Sequence, residues 1–245
     1  MDAIILAGGR GERLMPLTSD RPKCLVEIAG RPLVCYQLRW LARQGIRRVV
    51  ISCGYRWTRI QQVVGDGGAF GLQVEYAPEE KPLGRGGGLR KALAQLRSDP
   101  PPPSSEQHSA TLRAPVLACN GDVLTSLALR PMLREHRQSQ ALATLLLVPY
   151  VSQHGLADVD ASGRIVGFRE KPSLPYSLSG GVYIISPAIE ELLPRRGDHE
   201  RTAWPQLAAK GQLHSYRFRG YWQSVDSVKD VALAERQVHR RGLVA

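Results

Sequence analysis

The first apolar run, residues 2–6, is continuous rather than alternating and is cut off by Gly8-Gly9, the pattern of a strand buried on both faces that ends in a tight loop. Over 32–44 the apolar positions Leu33, Tyr36, Leu38, Trp40 and Leu41 follow a proline and stop before Gly45, which predicts a helix. Arg48–Cys53 (RVVISC) is a second buried strand. The alternation continues: helix over 58–64, strand over 73–76, helix over 88–96, strand over 115–119, helix over 127–136 and strand over 141–148. Strand and helix alternating at this spacing imply an α/β fold with a doubly wound, mostly parallel sheet.

The pattern then changes. Residues 159–168 predict a hairpin with a turn at Ser162-Gly163, and 180–185 predict another strand, so a small mixed region joins the sheet. A basic amphipathic helix is expected from 228 onward, within a segment running to 245. Residues 97–114 contain four consecutive prolines, several serines and almost no apolar side chain, which predicts a flexible exposed loop insertion. The whole chain, 1–245, reads as a single domain.

Charge and cysteine usage narrow the class. Lys and Arg exceed Asp and Glu by 33 to 22, a net charge of +11 that favours phosphorylated ligands, nucleic acid or an anionic surface. Aromatics at 6% are too few for a base-stacking nucleic-acid surface, so nucleic acid is not an expected partner. Neither a membrane-spanning run nor a basic leader before an apolar stretch is present, and a soluble cytoplasmic protein without a membrane partner is expected. Cys24, Cys35, Cys53 and Cys119 lie far apart, and the six His form no short ligand pattern, which argues for buried reduced thiols rather than zinc or a disulfide framework.

The chemistry begins at Leu6-Ala7-Gly8-Gly9-Arg10-Gly11-Glu12-Arg13, where glycines directly after a strand let backbone N–H groups close around an anion. It is neither a P-loop nor the dinucleotide fingerprint, whose third glycine would fall at Leu14. Alone it is explained equally well by a tight turn. Arg21-Pro22-Lys23 follows, with the proline holding the chain extended so that Lys23 reaches back beside Arg13. Val116 to Asp122 is an apolar strand delivering a carboxylate at its C-terminal end, where open parallel sheets bind ligands. Asp122 is therefore a candidate oxygen ligand for a hard divalent ion.

The string LAGGRGERLMPLTSDRPKCLVEIAGRPL resembles the sugar-1-phosphate nucleotidyltransferases, and the resemblance extends to about Val238. It implies a Rossmann-like fold and a reaction in which a sugar 1-phosphate oxygen attacks the α-phosphorus of a nucleoside triphosphate and releases pyrophosphate. By that resemblance Arg13 and Lys23 are catalytic, binding the triphosphate and the developing pyrophosphate. Leu6, Ala7, Gly8, Gly9 and Gly11, with Glu79, Pro82, Gly84 and Gly87 of the second glycine-rich loop EEKPLGRGGG, are nucleotide-binding. Arg85 stands there where threonine is usual and adds a cation near the phosphates. Phe168-Arg169-Glu170-Lys171-Pro172 resembles the F-x-E-K-P motif, so Glu170 and Lys171, together with Gly155, Ser179 and Gly181, are expected to hold the sugar phosphate. Residues 1–126 would then bind nucleotide and 127–227 sugar.

The resemblance also implies Mg2+ held by two acids. Many relatives carry W-x-D-x-G, which would put the second acid at Ser224; others resemble W-x-x-M-D-T, which puts it at Asp226. Asp122 and Asp226 are the expected metal ligands, with Asp230 as a substitute. The subfamily resembled most is the heptose or mannose 1-phosphate guanylyltransferases, so GTP with D-glycero-D-manno-heptose 1-phosphate or mannose 1-phosphate is expected. Glucose 1-phosphate cytidylyltransferases and other sugar 1-phosphate uridylyl- or thymidylyltransferases are the alternatives. A left-handed β-helix of the kind some relatives append is not expected, and a homo-oligomer is compatible with the sequence. Outside catalysis, a nucleotide-sensing domain that lost turnover would explain Ser224, and an RNA-binding protein would explain the net charge.

Overall fold

The structure, a computed structural model, describes residues 1–98 and 114–241. Of the loop insertion expected at 97–114, residues 99–113 lie outside the described residues, as do 242–245 of the expected C-terminal segment.

The chain opens with β1 (Ala3–Ala7), the short pair β2 (Glu27–Ile28) and β3 (Arg31–Pro32), helix α1 (Leu33–Arg43), β4 (Arg48–Cys53), α2 (Trp57–Val64), β5 (Gln73–Pro78) and α3 (Gly84–Ser98). There follow β6 (Val116–Asn120), β7 (Val123–Thr125), α4 (Leu129–Ser139), β8 (Ala143–Val151), the hairpin β9 (Leu156–Val159) and β10 (Ile165–Arg169), and the long β11 (Ser173–Ile185). The chain closes with α5 (Ala203–Ala209), β12 (Leu213–Arg217), β13 (Trp222–Ser224) and α6 (Val228–Arg240).

Seven strands share one sheet in the order β12-β8-β11-β6-β1-β4-β5. Only β11 runs against its neighbours, β6 and β8; the other adjacent pairs are parallel. After α3 the chain crosses from β5, at one edge, to β6 on the far side of β1. The strand order therefore reverses at β1, and the crevice beyond the ends of β1 and β6 is where such sheets take ligands.

Alternation along each strand builds a core on either face. Ala3, Ile5 and Ala7 pack with Val49, Ile51, Leu117 and α1, whereas Ile4 and Leu6 pack with Val50, Ala118, Tyr183 and α3. A third cluster joins α6 to Val26, Ile28, Leu33 and Tyr36, seating the C-terminal helix beside the loop that follows β1. All four cysteines are buried and unbridged, and burial pushes the thiols of Cys24, Cys53 and Cys119 up to about 12.

Three expectations are corrected. The helix expected from 88 begins a turn earlier, at Gly84, and runs through Gly86, Gly87 and Gly88. Its start is fixed from outside: the Gly197 carbonyl accepts from Gly86 N at 2.8 Å and Gly87 N at 3.3 Å, and the Asp198 carboxylate accepts from Arg85 N at 3.1 Å. Arg97 and Ser98, placed in the loop by the sequence, complete α3, and Arg97 pairs with Glu190 at 2.7 Å. The third correction concerns β11, expected at 180–185, which starts seven residues earlier because it continues out along β8.

Candidate active site

A cleft of about 790 Å³ opens at the ends of β1 and β6. Its floor is Leu6, Ala7, Gly8, Gly9 and Gly11, its near wall carries Arg13 and Lys23, and its far side carries Glu79, Pro82 and Gly84; Asp122 and Asp226 also line it. The structure therefore gathers the predicted phosphate, base and metal residues into one cavity, with the exception of Gly87. A Cβ at Gly87 would lie 2.6 Å from the Arg195 carbonyl oxygen, so this glycine serves close packing of α3 against that segment.

Gly11 takes φ of +75°, and a Cβ there would sit 2.9 Å from Cβ of Lys23, so the turn and the lysine stem are fitted to each other. The Thr18 hydroxyl donates to the Gly11 carbonyl at 2.8 Å and fixes the loop. Across the cleft Glu79 is turned inward: its carboxylate accepts from Leu83 N at 2.8 Å and the Ser52 hydroxyl at 3.3 Å. Glu79 thus shapes the second loop, and the neighbouring Glu80 is the exposed acid at that end.

Asp122 and Asp226 are brought together by a two-stranded ladder. β7 and β13 pair antiparallel with Val123 opposite Ser224, and Val225 N donates to the Asp122 carbonyl at 2.9 Å. Gln37, buried in α1, donates to the Asn120 and Val123 carbonyls at 2.7 and 3.1 Å and holds the turn that carries Asp122. Lys23 Nζ lies between the acids, 2.5 Å from Asp122 Oδ2 and 2.7 Å from Asp226 Oδ1, and Arg13 donates to the same Asp226 oxygen at 2.6 Å. Burial works to raise the Asp226 carboxyl; Lys23, the Ser224 hydroxyl and Arg13 outweigh it and hold the group below the ordinary carboxylate range.

Asp230 occupies a different place. Its Oδ2 accepts from Ser227 N and Oγ at 2.8 Å and from Asp226 N at 3.1 Å, and Ser227 caps α6 in return. The substitute ligand of the sequence analysis is a helix-capping group, and its carboxylate is occupied.

The two oxygens that meet at Lys23 Nζ show that one cation can touch both acids, a donor set suited to a hard divalent ion that completes its shell with phosphate and water. Among the described residues no group of three or more His, Cys, Asp or Glu side chains could hold a metal.

The sugar-side residues do not line this cleft. Gly155 directly precedes β9, where a Cβ would strike the Phe168 ring of β10 and lie 2.8 Å from the Glu170 carboxylate. Glu170 and Lys171 are paired at 3.7 Å and largely exposed. Ser179 is an exposed position of β11 opposite Leu147. Gly181, at φ +65°, leaves no room for a Cβ beside the Asn120 amide and so borders the end of β6.

Arg85 lines the cleft, and its guanidinium is engaged by Glu200 at 2.8 Å and Asp198 at 3.5 Å, so its charge also ties α3 to the 197–200 segment. Sequence reasoning also missed Arg10, Tyr55, Asn120 and Asp198 as cleft residues. Asn120 and Arg10 stood inside quoted motifs, whereas Asp198 carries no local signal and enters by docking on α3.

A doubly wound sheet that brings a glycine loop, two cations and two carboxylates to its switch point places a crevice suited to anions where such proteins take ligands. The family model for nucleotidyl transferases matches residues 2–241, and the chain belongs to that family. It is 33% identical over 238 residues to a mannose-1-phosphate guanylyltransferase of Mycobacterium tuberculosis, covering 94% of this chain and 62% of that protein. It is 30% identical over 237 residues to a mannose-1-phosphate guanyltransferase of Yarrowia lipolytica, with 94% and 62% covered. The chain thus spans under two thirds of the length of these relatives. The crystal structure of HddC from Yersinia pseudotuberculosis complexed with GMP-PN shares the fold at a TM-score of 0.73 and 23% identity, over 96% of this chain and 98% of that one. Enzymes of the family generally use divalent metal ions. No helix among the described residues is long and apolar enough to cross a membrane.

Proposed function

We propose that the chain is a sugar-1-phosphate nucleotidyltransferase that joins GTP to mannose 1-phosphate, or to the related D-glycero-D-manno-heptose 1-phosphate, and releases pyrophosphate. The observation that carries this reading is the convergence of Lys23 and Arg13 on Asp122 and Asp226 at the mouth of the glycine loop. Residues 1–126 supply the nucleotide side and 127–227 the sugar side. The guanosine and mannose assignments rest on the names of the relatives above.

Transfer of this kind needs in-line positioning and neutralisation of charge on non-bridging oxygens, with little covalent work by the protein. The backbone of residues 8–11 receives the triphosphate, and Arg13 and Lys23 bring their donors to its oxygens. The sugar phosphate oxygen forms a bond to the α-phosphorus as the bond from that phosphorus to the β-phosphate oxygen breaks, and the electron pair leaves on pyrophosphate. Asp122 and Asp226 would hold Mg2+, which supplies positive charge to the reacting phosphates. Glu170 and Lys171, on the hairpin, are the proposed holders of the sugar phosphate, with Gly155, Ser179 and Gly181 shaping the approach.

The test is a matrix of five nucleoside triphosphates against several sugar 1-phosphates with Mg2+, read by pyrophosphate release. Turnover with GTP and mannose or heptose 1-phosphate is expected. Nucleotide binding without pyrophosphate from any pair would overturn the catalytic reading in favour of a nucleotide-sensing domain.

A further inference from the structure

Four cations line the cleft: Arg10, Arg13, Lys23 and Arg85. Three are committed. Lys23 and Arg13 are matched by Asp122 and Asp226, and Arg85 by Glu200 and Asp198. Lys23 and Arg13 therefore share their charge with these carboxylates, though each keeps N–H donors beyond those bonds. Arg10 shares its charge with none, because among the described residues it has no carboxylate or hydrogen-bond partner.

Its one contact is aromatic: the guanidinium carbon stands 5.4 Å from the ring centre of Tyr55, which also lines the cleft. Tyr55 is itself pinned. Arg56 donates from Nε to the Tyr55 hydroxyl at 2.8 Å and lies 5.4 Å from the same ring, while its Nη1 donates to the Asp20 carbonyl at 3.1 Å. The Tyr55 hydroxyl donates to the Ser19 carbonyl at 3.4 Å. Arg56 adopts φ of +49°, rare for a residue with a side chain, to make this arrangement. A guanidinium held against a ring keeps its N–H fork free for oxygen.

The geometry points to Arg10 as a third phosphate-binding residue of the cleft, directed at the outer, pyrophosphate end of the triphosphate, with Tyr55 as its positioning residue. This rests on the nucleotidyl-transfer reading, in which the reacting α-phosphorus lies at the two acids. Arg10 is an exposed residue of the same cleft and bonds to neither acid, which leaves it for the part of the nucleotide that extends away from them.

Calorimetric binding of GTP, GMP and inorganic pyrophosphate, each with Mg2+, tests it. Arg10→Ala is expected to weaken GTP and pyrophosphate by about tenfold and GMP by less than about twofold, the size of one charge-assisted hydrogen bond. Tyr55→Leu is expected to give part of the same loss, about threefold and again confined to GTP and pyrophosphate, while Tyr55→Phe keeps most of the affinity because the ring remains. Pyrophosphate binding unchanged in Arg10→Ala, or GMP weakened as much as GTP, overturns the role of Arg10. An unaltered Tyr55→Leu overturns the positioning role. Wild-type protein that takes up neither GTP nor GMP instead overturns the nucleotide reading on which both depend.

Discussion

Lys23 separates two carboxylates that would otherwise repel each other across a half-buried wall. Its removal should therefore do more than delete one phosphate contact. For Lys23→Ala we expect kcat/KM for pyrophosphate release to fall about a hundredfold, the scale of losing one preorganised donor, with an unchanged circular dichroism spectrum. Unchanged turnover would take Lys23 out of the mechanism. Asp226→Asn should raise the Mg2+ concentration needed for half-maximal rate, whereas Asp230→Asn should leave it near the wild-type value; the reverse ranking would move the metal acid. Asp226 was legible in the sequence only as a choice between patterns. Its contact with Lys23 makes that choice intelligible: Asp226 meets the lysine at 2.7 Å, and Ser224, the position of the other pattern, supports it with its hydroxyl.

At the scale of elements, the glycines of α3 work by closeness of packing. A side chain at Gly87 would strike the Arg195 backbone, whereas nothing lies within 4 Å of a Cβ at Gly9. Gly87→Ala should lower unfolding stability by about 1–3 kcal/mol and Gly9→Ala by less than about 0.5 kcal/mol, measured by urea denaturation. Equal effects would refute the packing account. Asp230→Ala, which opens the cap of α6, should cost about 1 kcal/mol, a fall in Tm of roughly 2–4 °C in a chain of this length. The core strands and long helices were readable because each carries a full period of apolar positions. The start of α3 was not, since the groups that cap it, Gly197 and Asp198, lie more than a hundred residues downstream. β13 has only three residues, and β12, LHSYR, is polar and only half-buried, so neither carries the apolar run that declared β1 and β6.

For the molecule as a whole, His199 should contribute to the loss of stability in acid, alongside carboxylates such as Glu75 and Asp226 that are held below their ordinary range. The histidine is fully buried between Tyr183 and Trp204, and neither ring nitrogen has a hydrogen-bond partner. Burial, aided by Arg85, pushes its pKa down from 6.5 to about 4. Between these values the unfolded chain holds a proton that the native one does not, so this ring's share of stability falls as pH drops through 6.5 and levels off near 4. The loss attributable to this ring is on the order of 3 kcal/mol, and His199→Phe should flatten the curve over that interval. A variant with the wild-type slope would assign acid lability elsewhere. Composition and charge gave no hint of this, because a buried histidine looks the same in sequence as an exposed one. The β7–β13 ladder has a different consequence for the chain as it is made on the ribosome. Asp122 is translated about a hundred residues before the strand that presents Asp226, and the glycine loop earlier still. A nascent polypeptide that stops short of residue 222 therefore holds one acid of the pair and lacks the strand that brings in the other.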